Sequence, residues 1–188
     1  TVDAQTFMAM KNYARDALRH FAETTADAPL YRLNPTVIKD LTKELFDLQD
    51  KRLLGVPAAD IAILSVKSRD KAYVLINQTG EWVLEDQPTE KLNQQAVDLF
   101  VSRVADLPAE ERVTKLMAPL APYGLLAPTA EFVATGKDGQ LLGKLTLGNR
   151  VGNLVYATGE KLQGIFQVRP DLLTQIPTTT DLLATPQG

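Results

Sequence analysis

The chain has 188 residues, 45% hydrophobic and 23% charged, a balance ordinary for a globular protein and a length that suits one domain, or one domain and part of another. Its formal net charge is -3, with Lys and Arg scattered along the chain, so there is no basic footprint for nucleic acid. It has no cysteine, which excludes disulfides, thiolate metal sites, iron–sulfur clusters and cysteine nucleophiles.

The first stretch, residues 3–24, reads as an amphipathic helix. Phe7, Met10, Ala14, Ala17, Leu18 and Phe21 fall on one stripe at three- and four-residue steps. Leu30 to Leu33 alternates like a short strand. Asn34 and Pro35 then suit the first positions of a helix that runs to about Gln49.

Gly55-Val56-Pro57 is a break, and a β-meander follows it. Its strands are Ile61 to Ser68, Ala72 to Ile76 and Glu81 to Glu85, with turns at Arg69-Asp70-Lys71 and Asn77-Gln78-Thr79-Gly80. Pro88-Thr89 is expected to open a helix with Leu92, Ala96, Leu99, Phe100 and Val104 on its apolar face. Asp106-Leu107-Pro108 is expected to restart a helical piece through Leu116.

Residues 118–128, APLAPYGLLAP, are proline-rich and irregular. A second meander has strands at Thr129 to Thr135, Leu141 to Leu147, Leu154 to Thr158 and Gly164 to Val168. Turns are expected at Gly136 to Gly139 and from Gly148-Asn149-Arg150. Pro170 opens a last helix, and the Thr-rich tail from Pro177 is expected to fray. Strands clustered in hairpins predict an α+β fold, with antiparallel β-meanders and packed helices.

One phrase occurs twice. YRLNPTVIKDL begins at Tyr31 and FQVRPDLLTQI at Phe166, a constant offset of about 135 residues. Tyr31 aligns with Phe166, Leu33 with Val168, Pro35 with Pro170, and Val37-Ile38 with Leu172-Leu173. Either the strand–Pro–helix unit is duplicated, or this is a common junction met twice. Duplication divides the chain into residues 1–54, an N-terminal helix plus the closing strand and helix of a preceding module, and residues 55–188, one nearly complete module.

Candidate chemistry is sparse. There are three serines, Ser65, Ser68 and Ser102, and one histidine, His20, with no G-x-S-x-G elbow. His20 lies one residue off the first apolar stripe and reads as a surface histidine. One His and no Cys exclude the common zinc and iron sites, and no acidic calcium loop is present. Gly136, Gly139 and Gly143-Lys144 loosely resemble a phosphate loop, but Leu145 stands where Ser or Thr must hold magnesium, so these glycines read as hairpin turns. Glu110-Glu111 read as dipole partners of a helix start. Asn77-Gln78-Thr79 fits a glycosylation sequon and equally a turn. Trp82, Phe132, Tyr156 and Phe166 are expected in the core. Nothing calls for a cofactor, and no catalytic grouping is found.

Asp50, Lys51 and Arg52 form the polar cluster of most interest. They follow a helix C-terminus, where cations are favoured. They read either as a cap with a salt bridge inside the module, or as a hinge or docking contact between modules.

LQDKRLL (Leu48 to Leu54), WVLEDQP (Trp82 to Pro88), VSRVADL (Val101 to Leu107) and YGLLAPTAEF (Tyr123 to Phe132) resemble, in this order, the bacterial family catalogued as domain of unknown function 4340. KLTLGN (Lys144 to Asn149), VYA (Val155 to Ala157) and FQVRPDLL (Phe166 to Leu173) complete the resemblance, which covers roughly residues 30–185. Leu126-Ala127-Pro128 departs from the family's pattern, and residues 1–28 have no counterpart in it. The resemblance implies tandem modules behind a single membrane anchor, encoded beside ABC-type transport systems of the gliding-motility kind.

The expectation is therefore a non-catalytic, extracytoplasmic (periplasmic) interaction module of a membrane-anchored accessory protein. Its partners would be membrane transport subunits. The alternative is a small-ligand domain for a peptide, lipid or saccharide, with residues 118–128 as a flap. No apolar run approaches the ~20 residues that span a bilayer. The chain starts at Thr1 rather than a methionine, as expected of a shortened or processed polypeptide whose leader or anchor lies outside it.

Overall fold

The computed structural model describes residues 46, 49–114 and 119–184. The expected helix at residues 3–24, His20 and the first copy of the repeated phrase lie outside the described residues. The chain divides into two compact units, Thr1–Gln49 and Asp50–Gly188. The second unit is described below.

β1 (Ile63–Ser68), β2 (Ala72–Gln78) and β3 (Glu81–Leu84) form the first meander. α1 (Gln94–Ala105) follows, then β4 (Glu111–Thr114). The second meander is β5 (Ala130–Thr135), β6 (Leu141–Val151), β7 (Leu154–Gly159) and β8 (Ile165–Val168). Two single-turn helices, α2 (Asp171–Thr174) and α3 (Thr179–Leu182), close the described chain. Helices beside antiparallel strands make this an α+β fold.

The two meanders are not separate sheets. β1 pairs antiparallel with β2 on one side and with β5 on the other, which fuses them into one eight-stranded sheet of order β3-β2-β1-β5-β6-β7-β8-β4. Strand alternation sends one face of this sheet inward. Leu84, Leu75, Leu64, Ala134 and Gly143 form one cross-strand row. Tyr73, Val66, Phe132, Leu145 and Gly159 form the next. Leu147, Ala157, Phe166 and Arg112 follow Ala130 in a third, with the Arg112 guanidinium carbon 5.5 Å from the centre of the Phe166 ring.

α1 brings Val97, Phe100, Val101 and Val104 to the core at helical spacing. Phe100 meets Phe132 edge to face, with ring centres 6.2 Å apart.

The first two rows end in glycine, and Leu53 and Leu54 fill the space that side chains would take. A Cβ on Gly143 would sit 3.1 Å from Leu54 Cδ1, and one on Gly159 would strike the Leu53 carbonyl oxygen. Both leucines are buried, at 0% and 2% exposure. Backbone hydrogen bonds hold the segment in place. Leu53 N–H donates to Leu107 O, Ala109 N–H to Lys51 O and Lys161 N–H to Leu53 O.

The sheet has two edges, β3 and β4. At β3, the Gln94 amide acts as a short strand of its own: it accepts from Trp82 N–H at 2.7 Å and donates to Trp82 O at 3.0 Å. Trp82 Nε1 donates to Asp98 Oδ1. Polar side chains of α1 thus occupy outward-facing backbone groups of this edge.

Several sequence expectations are corrected. The helix expected from Pro88 begins at Gln94, because Asn93 supplies the N-cap and accepts from Ala96 N–H at 3.2 Å. The helical piece expected from Asp106 to Leu116 is, through Thr114, a loop and a strand. Pro108 breaks the helix, and β8 offers an edge to which Arg112 and Thr114 pair, with a register shift between them. Gly148-Asn149-Arg150 lies inside β6 at a bulge, and the turn comes later, at Gly152, with φ 57°. Gly148 is needed there because a Cβ would meet the Tyr123 carbonyl oxygen.

Tyr156 is half-buried on the outer face, since Val155 and Ala157 on either side point inward. Its ring meets Tyr123 edge to face at 4.9 Å. The tail does not fray through Ala184: Thr178 and Asp181 form a capping box, and Leu182 is 1% exposed.

Leu53→Ala should cost about 2–5 kcal/mol, the range for a buried leucine truncated in a packed core. Gly159→Ala should cost about 1–3 kcal/mol by overpacking against the Leu53 backbone. Urea denaturation of both variants checks this; an unchanged midpoint for either removes the packing account.

Candidate functional site

Asp50, Lys51 and Arg52 enter the second unit as its first residues. Asp50 holds Arg52 from two sides. Arg52 Nε lies 3.0 Å from each carboxylate oxygen, and its Nη2 donates to Oδ2 at 2.7 Å. The Arg52 backbone N–H also donates to Asp50 Oδ1, at 3.1 Å. Lys161 Nζ reaches the same Oδ2 at 2.5 Å, across a separation of 111 residues. Arg52 Nη1 reaches on to Asp106 at 3.4 Å.

This network ties the start of the unit to the end of α1 and to the turn after β7. The Arg52 guanidinium and, after it, the Lys161 ammonium hold the Asp50 carboxyl well below the usual carboxylate range. The reciprocal effect raises Arg52. Asp50 and Arg52 side chains are 38% and 42% exposed, so solvent screens the pair and its contribution to stability is small.

The other sequence candidates are scattered. Ser65 is in β1, paired across to Val74 and Val133, and Ser102 is within α1. The Ser68 hydroxyl bonds Asp70 in the first turn. Glu111 is in β4, and Glu110 pairs with Arg169 at 2.8 Å, so neither serves a helix dipole. Gly139 turns the β5–β6 hairpin with φ 78°, and Lys144 pairs with Glu131 at 2.7 Å. Asn77 caps its turn, accepting from Gly80 N–H at 2.9 Å. Among the described residues, no three His, Cys, Asp or Glu side chains are placed to hold a metal ion.

A groove that the sequence reading missed lies between residues 103–110 and 169–175. It comprises two adjoining hollows of about 350 and 320 Å3, which share Leu107, Pro108 and Asp171. Leu107 and Leu172 are buried in its floor. Its rim is charged and largely satisfied: Arg169 holds Glu110, and Arg103 Nη1 donates to Gln175 Oε1 at 2.5 Å. Asp106 joins the groove to the Asp50–Arg52 network. An open groove with an apolar floor and a charged, polar rim suits the surface of another chain. It has no nucleophile held beside a base. The only sequence sign was Pro108, which breaks α1 away from β4. That the two walls meet depends on β4 pairing with β8.

The family model for the domain of unknown function (DUF4340) matches residues 11–113. The chain belongs to this family. The match begins inside the stretch 1–28 that the sequence reading had set apart from the family. It takes in Asp50, Arg52 and Asp106 of the network and the first wall of the groove, leaves Lys161 outside, and stops within β4. The second wall, at residues 169–175, lies beyond it. No curated protein and no solved structure matches the chain. Among the described residues, no helix is long and apolar enough to cross a membrane.

The sign of the pH effect follows from Asp50. A carboxyl depressed in the folded state contributes its stabilisation in full above its unfolded pKa, about 4, and loses it as pH falls below that toward the folded value. Asp50→Asn should lower the urea midpoint at pH 7 by less than about 0.5 M. The difference from wild type should shrink both in 1 M salt and between pH 4 and pH 2. A difference that persists unchanged at pH 2 would exclude the ionic account.

Proposed function

We propose that this chain is a non-catalytic interaction module, acting outside the cytoplasm as part of a membrane-anchored accessory protein of a transport or surface-assembly system. The observation that carries the reading is the groove between residues 103–110 and 169–175. Its floor is apolar and its rim is charged and polar, with Glu110 paired to Arg169, as at a surface that docks another protein. The location, the anchor and the transport partner are supported by the family resemblance and rest on it alone. The duplicated strand–Pro–helix unit belongs to the same reading. Its second copy folds as strand, proline and helical turn, with Phe166 and Val168 in β8 and Leu172 buried in α2.

A ligand-binding domain is the second reading. Hollows of about 350 and 320 Å3 are within the range of small-molecule sites. Neither is lined by residues 118–128, where the sequence led one to expect a flap.

The test is affinity capture from detergent-solubilised membranes of the native host, with the full-length protein as bait and mass spectrometry as readout. Transport subunits should be enriched by wild type and lost with the groove variant Asp171→Arg/Leu107→Asp. Equal enrichment with both would take the groove out of the reading. No enriched subunit, together with a small molecule retained in native mass spectrometry, would replace it by the ligand-binding reading.

A further inference from the structure

The segment Ile176–Ala184 is bound to its own domain in the manner of a bound peptide. It is gripped mostly by its main chain. Lys71 Nζ donates to Ile176 O, and the Tyr73 hydroxyl donates to Pro177 O at 3.0 Å. At the other end, Asn93 N–H donates to Leu182 O at 2.8 Å and Ala184 N–H to Lys91 O at 2.8 Å. These last two bonds flank the antiparallel bridge between Leu92 and Leu183. The segment therefore adds one rung of strand to residues 91–93.

Two aliphatic anchors complete the grip. Ile176 is 4% exposed and Leu182 is 1% exposed. Between them, Pro177 has no N–H to satisfy, and the capping box of Thr178 and Asp181 shapes the chain into one helical turn. Main-chain hydrogen bonds with pockets for a few side chains are the pattern by which domains recognise extended peptides.

The partners of the segment are all distant in sequence, between residues 71 and 93. The two donors lie 104 and 105 residues from the carbonyls they hold. Burial pushes the Tyr73 phenol above its ordinary range, so the hydroxyl stays a donor at any ordinary pH. Nothing in this grip requires that the segment and its acceptor belong to one molecule. We propose that residues 71–93 form a peptide-binding site filled in cis by Ile176–Ala184, and that the same segment of a second copy of the chain can take its place. Exchange of this kind makes a symmetric dimer from contacts already present in the monomer.

Three measurements test it on the full chain. In native-state hydrogen exchange, the Asn93 and Ala184 amides should exchange at least about tenfold faster than the bonded amides of β1 and β5, because the segment opens without the sheet. Equal rates would overturn the proposal. A fluorescent peptide of residues 174–184 should bind saturably to the Leu182→Asp chain, whose own segment is unseated, and not to wild type. No binding to a variant that keeps its sheet signal in circular dichroism would overturn it. If that variant fails to fold, Ile176→Ser takes its place. Finally, light and 15N-labelled wild-type chains, mixed at high concentration, should yield mixed dimers in native mass spectrometry. A strict monomer at every concentration would remove the second copy as occupant.

Discussion

The double pairing of β1 organises this domain. Ile63 to Ser68 hydrogen-bonds to β2 on one side and to β5 on the other, joining strands that lie some sixty residues apart in the chain. Without β1–β5 there are two separate antiparallel sheets, β3-β2-β1 and β5-β6-β7-β8-β4, each with its own inner face. With it, the inner faces merge into continuous rows that α1 can cover. The rows taper to Gly143 and Gly159, and the opening segment of the domain lays Leu53 and Leu54 into that taper. A pairing at the centre of the sheet thus sets how its far end is sealed.

Each remaining feature follows from where the sheet stops. At β3 the edge meets the Gln94 amide and the α1 turn. At β4 the strand pairs only with β8, and the loop leading into it forms one wall of the groove. The other wall is the strand–Pro–helix phrase itself, where Pro170 bends the chain from β8 into α2. The groove is therefore a consequence of bringing residues 106–110 back to the last strand, and its charged rim closes with the Arg169–Glu110 pair. The Asp50 network stands behind the first wall. Its Arg52, Asp106 and Lys161 partners all belong to the second unit.

Two peptide-like features coexist, and they differ physically. The groove has an apolar floor and a charged rim that includes the Arg169–Glu110 pair, so it offers area and shape. The site at residues 71–93 offers directed donors to carbonyls, and the chain itself supplies the occupant, with Ile176 and Leu182 buried. Surface that is satisfied by its own segment resists aggregation, and it also displays the kind of segment it accepts.

Local signals in the sequence determined much of this protein. Alternation placed the two meanders, Gly80 and Gly139 marked hairpin tips, and Phe100 and Val104 gave the buried face of α1. The lack of cysteines and the single histidine removed most metal and nucleophile chemistry before any fold was known. Motifs in order pointed to the family. Tertiary structure alone decided the rest, because hydrogen bonding between distant strands can override local preference. Glu111 to Thr114 became a strand because β8 offered an edge. Thr178 to Leu182 became ordered because Leu182 had a pocket and Thr178 a capping partner. Tyr156 moved to the outer face because register, not hydrophobicity, assigns the sides of a strand. The joining of two meanders, the glycine taper filled by Leu53 and Leu54, and both walls of the groove depend on contacts of long sequence separation, which no local pattern carries.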